Sequence, residues 1–234
     1  MSYLILVRHG ESRWNLANKF TGWVDVPLSK KGIEEAILVA KSFEGLNIDV
    51  AFTSRLERAQ ETLMLILAYQ NKTGIFLHKG KKRNQWSMHP KRFDKNEIPI
   101  YSDTAINERY YGKLQGLNKD WARKKYGKEK VFTWRRSYDV CPPGGECLKD
   151  VVERSVPYFE KEIMPQLKKK KNVLVSAHGN SLRGIIKYIE NVSDEEIPHL
   201  ELPTGKPVIY KYKKGKLEKM HMDFSFDRPL EWKK

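Results

Sequence analysis

Tyr3-Leu4-Ile5-Leu6-Val7 runs directly into Arg8-His9-Gly10-Glu11-Ser12. Five apolar residues make a buried strand and are too few for a helix or a signal peptide. Two further runs end in the same manner. Asp49 to Thr53 leads into Ser54-Arg55, with Arg58 one turn on, and Asn172 to Ala177 leads into His178-Gly179-Asn180. Helical spacing fills the intervals. Ile33, Ala36, Ile37, Ala40 and Phe43 mark a helix over 30–43 that Gly45 ends, and Ala59, Leu63, Ile66 and Leu67 mark another over 55–69. Residues 118–126, 146–167 and 179–190 also read as helices, with Pro157 and Pro165 expected to kink or shorten the second. Ile75 to His78 reads as a third strand, and 207–212 with 216–220 as a terminal hairpin. Strands alternating with helices predict an α/β fold: a mostly parallel central sheet with helices on both faces. Ligands of such sheets gather at the carboxyl ends of the strands. Two histidines and several arginines are therefore expected around one cleft. Guanidinium forks suit phosphate oxygens, and a neutral imidazole among them suits a phosphoryl acceptor.

The chain has 234 residues, 44 of them Lys or Arg against 29 Asp or Glu, a net charge of +15. That length suits one domain over 1–234, and no internal repeat or boundary divides it. Hydrophobic residues at 40% exclude a disordered chain, and no apolar run approaches the ~18 residues that span a bilayer. The positive surplus leaves nucleic acid, an acidic membrane surface and small phosphorylated substrates open as partners. Lys79 to Pro99 is a basic surface excursion, and the segment from Asp223 is a short tail. Cys141 and Cys147 flank Pro142-Pro143-Gly144-Gly145-Glu146, a spacing unlike paired zinc ligands, and read as free thiols in a reducing cytosol. His78, His89, His199 and His221 carry no such context and are taken as non-catalytic.

Leu6-Val7-Arg8-His9-Gly10-Glu11-Ser12 resembles the signature of the histidine phosphatase superfamily. The longer pattern resembles its cofactor-dependent phosphoglycerate mutases: Trp14-Asn15, Phe20 to Trp23, Asp25 to Ser29, Asn107 to Gly112, Leu114 to Lys119, Trp134 to Asp139, Ala177 to Arg183 and Leu202 to Gly205. Three residues recur by chance; the ordered set, spread over about residues 1–222, is specific.

The resemblance implies a role for each matched residue. His9 would be the nucleophile, Glu108 the general acid and base, and His178 with Arg8 and Arg58 the stabilisers of the moving phosphoryl group. Ser12, Asn15, Gly179 and Asn180 would border the same oxygens. Thr21, Gly22, Arg109, Tyr110, Tyr111, Lys119, Arg135 and Arg136 would hold the rest of the substrate. The activity implied is interconversion of 3-phosphoglycerate and 2-phosphoglycerate through a phosphohistidine and a 2,3-bisphosphoglycerate intermediate, with that bisphosphate as the priming donor and no metal. A cytoplasmic homo-oligomer, a dimer or larger, is expected, without nucleic-acid or membrane partners. This chain departs from the family's usual pattern in its short 140–145 loop, in the basic segment 79–99, in Cys147 where serine is usual, and in its short tail. A phosphatase of the same superfamily is the near alternative, which needs no second anchoring set. A basic nucleic-acid module is the distant one, but its aromatics do not interleave the basic runs as a stacking platform requires.

Overall fold

The computed structural model describes residues 1–78 and 93–220. Seven strands form one sheet: β1 (Ser2–Arg8), β2 (Val50–Thr53), β3 (Thr73–Leu77), β4 (Glu97–Ser102), β5 (Val173–Ala177), β6 (Val208–Lys213) and β7 (Lys216–Lys219), in the spatial order β3-β4-β2-β5-β1-β6-β7. The first five in that order run parallel, and β6 and β7 add an antiparallel hairpin beyond β1. β4 begins at Glu97, so Glu97–Pro99 belong to the sheet and not to the basic excursion; residues 79–92 and 221–234 lie outside the described residues. Ile98 and Ile100 supply the aliphatic face that draws this segment in, although the basic run before it hides the pattern.

Alternation along β1 separates two cores. Tyr3, Ile5 and Val7 pack with Val39 and Ala40 of α2 (Lys30–Ser42), with Phe43 that caps it, and with Leu63, Ile66 and Leu67 of α3 (Glu57–Tyr69). Leu4 and Leu6 face the other side, against Tyr158 of α6 (Leu148–Tyr158), the turn Phe159–Ile163, α7 (Met164–Lys168), and Leu182, Ile185 and Ile186 of α8 (Gly179–Glu190). Helices thus cover both faces. The expected kink at Pro165 takes the form of a wider π-type turn over Phe159–Ile163: a proline ring crowds the carbonyl four residues back, and one loosened turn makes room without ending the helix. A smaller cluster of Phe20, Leu114, Ala122, Val131 and Trp134 seats α4 (Lys119–Tyr126) and α5 (Lys128–Arg136) beside this scaffold. Helix α1 (Arg13–Leu16) is a single turn closed by Ser12 and Asn15.

One close approach fixes where β1 ends. The loop after His9 crosses the first turn of α2 at Gly10 and Gly32. A Cβ on Gly10 would stand 2.3 Å from the Gly32 carbonyl oxygen, and one on Gly32 would stand 2.1 Å from that of Glu11. In an exposed helix Gly→Ala stabilises by about 1 kcal/mol. Here Gly32→Ala is expected to destabilise by about 1–3 kcal/mol in urea unfolding, because backbone has to move; a more stable variant would contradict the close approach.

Candidate functional site

β2, β5 and β1 are neighbours running the same way, so the residues that follow them emerge together. The rings of His9 and His178 lie 4.9 Å apart between centroids, tilted by 58°. His9 Nδ1 sits 2.6 Å from the Gly10 carbonyl oxygen. A carbonyl only accepts, so Nδ1 carries the proton and Nε2 keeps its lone pair. Arg58 Nε donates to that Nε2 at 3.3 Å. Nε2 of His9 is therefore held unprotonated beside a cation. His178 Nε2 meets Ser54 Oγ at 2.7 Å, which ties the end of β5 to the end of β2.

A cavity of about 120 Å³ opens over the His9 ring. Arg8, His9, Asn15, Thr21, Gly22, Arg58, Glu108, Tyr111, Lys119, Arg135, Arg136, Gly179 and Asn180 line it, and so do Lys19 and Arg183. Seven cationic side chains thus face two carboxylates, Glu108 and Glu201, and Glu201 already pairs with Arg136 at 2.6 Å. Glu108 Oε1 accepts from the Arg109 amide at 2.7 Å, from Asn180 Nδ2 at 2.7 Å and from the Asn180 amide at 3.2 Å. Gly179 lies beside the same groups: a Cβ there would stand 3.5 Å from Arg8 Nε and 3.8 Å from Glu108 Oε2, ordinary contact distances.

Four expected residues, buried His178 and three others, do not line the cavity. Ser12 is buried and caps α1, accepting from the Asn15 amide at 3.2 Å while its own amide donates to Asn15 Oδ1 at 3.1 Å. Arg109 lies under Tyr111, 4.9 Å from its ring centroid, and donates to the Arg135 carbonyl at 2.5 Å. Tyr110 is exposed and packs edge-on against Trp23.

Arg154 escaped the sequence reading, yet it staples the Glu108 segment. It pairs with Glu146 through two bonds of 2.9 Å and donates to the carbonyls of Ala105 (2.9 Å), Asn107 (3.0 Å) and Glu108 (3.0 Å). Glu146 in turn accepts from the Tyr110 amide at 2.8 Å. Nothing in the linear pattern connects residues 146, 154 and 108. Arg183 was legible in principle: it lies one helical turn beyond Asn180, and its Nη1 donates to Asn180 Oδ1 at 3.2 Å, orienting the amide that holds Glu108.

Crowding of like charges away from water shifts the cavity's bases downward. Burial lowers His9 well below 6.5, aided by Arg58 and Arg8 and opposed by the Gly10 carbonyl. His178 moves the same way, by burial and then by Arg58 and its neighbouring ring. Burial pushes Arg58 down to about 10 despite Glu108 and Asp25, and Arg183 to about 10 with help from Arg136 and Arg109. Lys119 is lowered by burial and by Arg135. Burial alone would raise the Tyr111 phenol, but the positive field led by Arg109 outweighs it and the net shift is downward.

The chain matches the histidine phosphatase superfamily (branch 1) over residues 4–79 and 91–223, and the interruption falls inside the basic excursion. It is 51% identical to a 2,3-bisphosphoglycerate-dependent phosphoglycerate mutase of Methanosarcina acetivorans, covering 98% of this chain and 100% of the relative. A protein of the same description from Chlamydia pneumoniae is 48% identical over 96% of this chain and 99% of its own. Among solved structures, Bacillus stearothermophilus YhfR aligns with a TM-score of 0.72 at 22% identity, over 94% of this chain and 95% of its own. A putative alpha-ribazole-5'-P phosphatase from Escherichia coli aligns with a TM-score of 0.71 at 20% identity, over 94% of each chain. At such identities these two speak for the fold alone.

Nitrogen NMR of the imidazoles tests the electrostatics. His9 is expected to remain neutral at pH 6, protonated on Nδ1 and bare on Nε2, and His178 to remain neutral too. A midpoint near 6.5, or a proton on His9 Nε2, would contradict the geometry. The unfolded chain binds these protons more readily than the folded one, so stability is expected to fall as pH drops through about 6.5.

Proposed function

Since this chain belongs to the histidine phosphatase superfamily, we propose that His9 Nε2 carries a phosphoryl group between the two hydroxyl oxygens of a three-carbon acid. The reaction is the interconversion of 3-phosphoglycerate and 2-phosphoglycerate, a step of glycolysis and gluconeogenesis. The observation that carries the reading is the His9 tautomer: the Gly10 carbonyl, 2.6 Å from Nδ1, leaves Nε2 as an unprotonated nucleophile in a cation-lined cavity.

The residues present suit a small polyanion. Arg8 Nε is buried without a hydrogen-bond partner among the described residues, and seven cations converge on a small space. Arg8, Arg58 and Asn15 would hold the phosphoryl group beside His9, while Lys119, Arg135, Arg136 and Tyr111 would hold the far end of the glycerate. When bound, 2,3-bisphosphoglycerate supplies the phosphoryl group that charges His9.

Within that frame the side chains divide the work. The His9 lone pair forms the N–P bond as the bond from phosphorus to the departing oxygen breaks. Glu108 gives that oxygen a proton and later takes one from the hydroxyl that attacks. His178, Arg8 and Arg58 stabilise the charge spread over the three equatorial oxygens, and their fixed positions remove the need for reorganisation. Anchoring the carboxylate end keeps the acid in place between transfers and keeps water from His9. A simple phosphatase has no use for such an anchor.

We further infer a cytoplasmic homo-oligomer of two copies or more, acting on phosphorylated glycerates and not on nucleic acid or membrane. Among the described residues no helix is long and apolar enough to cross a membrane. β3 stands at one end of the described sheet, a position from which strands pair between copies.

Incubation with 3-phosphoglycerate and a trace of bisphosphate is expected to yield 2-phosphoglycerate with little free phosphate. Intact mass after bisphosphate treatment is expected to rise by one phosphoryl group in the native chain and not in His9→Ala. Free phosphate without 2-phosphoglycerate would favour hydrolysis, and an equal mass gain in both chains would reject His9 as the acceptor.

A further inference from the structure

Cys141 and Cys147 bracket the turn that reaches the Glu108 segment, and their side chains converge. Cys147 Sγ lies 3.1 Å from Asp150 Oδ2, and Cys141 Sγ lies 3.6 Å from the same oxygen. The two sulfurs and the carboxylate oxygen all fall within 4.8 Å of one another. We infer that Cys141, Cys147 and Asp150, none of which lines the cavity, form a binding site for a thiophilic divalent cation of the zinc class.

Geometry supports the assignment. A tetrahedral zinc ion, with Zn–S ~2.3 Å and Zn–O ~2.1 Å, spaces its sulfurs ~3.8 Å apart and sets each sulfur ~3.6 Å from the oxygen. The two sulfur–oxygen distances, 3.1 Å and 3.6 Å, stand near that spacing, and the sulfurs lie within 4.8 Å of each other. Charge supports it too. The cation replaces two thiol protons, which leave to solvent, so the loaded cluster keeps the net charge of −1 that two thiols and one carboxylate have without it. No additional charge is buried. Cys147 is buried while Cys141 is exposed, which provides an entry path and room for water as the fourth ligand. Five residues separate the cysteines, so the pattern is not a paired-cysteine zinc motif in sequence; the turn in the chain brings them together.

The site has a mechanical role. The intervening turn is clamped onto the Glu108 segment: the Glu146 amide donates to the Tyr110 carbonyl at 2.7 Å, and the Lys113 amide to the Pro143 carbonyl at 3.0 Å. A Cβ on Gly145 would lie 2.6 Å from the Tyr110 carbonyl oxygen, so the two backbones touch. A cation joining Cys141, Cys147 and the first turn of α6 ties both ends of this turn and stiffens the support of Tyr110 and Glu146.

The full reduced chain, titrated with Co²⁺ alone, tests the site directly, independently of turnover. One equivalent is expected to produce the near-ultraviolet thiolate-to-cobalt band, zinc to abolish it by displacement, and Cys141→Ser to remove it. Cys141 is exposed, so that substitution leaves the fold intact, and in Cys147→Ser the hydroxyl retains the helix cap and serves as a second check. Absence of the band in the native chain, or its persistence in Cys141→Ser, would overturn the assignment.

Discussion

Like charges held close together and away from water are the constraint on which this site is built. Seven cationic side chains face one small cavity, and they repel one another until an anion arrives. Backbone carbonyls hold three of the arginines in the meantime. Arg58 donates to Gly22 and Val24, at 2.8 Å and 3.1 Å, and Arg8 donates to Leu202 at 2.7 Å. Arg183 is held by the Ile197 carbonyl. Each clamp meets the guanidinium with a neutral dipole in place of a carboxylate, so the positive field stays available to a ligand. The loop that supplies the Leu202 carbonyl is itself anchored, since Thr204 Oγ1 donates to Glu35 of α2 at 3.1 Å.

The same field sets the state of the histidines. In water an imidazole near pH 6.5 is half protonated and half a nucleophile. Burial and the flanking guanidiniums remove that ambiguity for His9 and for His178. The Gly10 carbonyl then selects the tautomer, and Gly10 can place its oxygen there because Gly32 lets α2 come into backbone contact. A structural glycine pair and a chemical tautomer are consequences of one close approach. On the far side of the cavity, Arg154 and Glu146 do for Glu108 what the Gly10 loop does for His9: they fix the backbone and leave the side chain to the ligand.

Local pattern disclosed the strands that matter most. Tyr3–Val7, Asp49–Thr53 and Asn172–Ala177 are short apolar runs ending in charged or imidazole residues, and in the fold β1, β2 and β5 lie side by side. β4 was hidden because Glu97-Ile98-Pro99 follows a lysine-rich stretch and contains a proline; its membership of the sheet depends on packing of Ile98 and Ile100 against distant helices. The motif blocks marked most cavity residues. They did not separate Asn15, which lines the cavity, from Ser12, which orients it, nor Tyr111 from the Arg109 beneath it. Residues within one block share a sequence neighbourhood, but the backbone decides which side chain turns inward. Lys19, Arg154 and Glu201 act through contacts across the fold, which periodicity does not register.

Burial, reinforced by the guanidiniums around them, keeps both imidazoles neutral until an anion enters the cavity. Sulfate tests it cleanly, because sulfate has no proton to exchange in this range. Calorimetric titration with sulfate in buffers of different ionisation enthalpy measures the protons taken up per site. The expected result is net uptake that grows as the pH is lowered from 7 toward 5.5, as the bound dianion raises the two rings toward ordinary basicity. Sulfate binding with no proton uptake across that range, or with release, would contradict it.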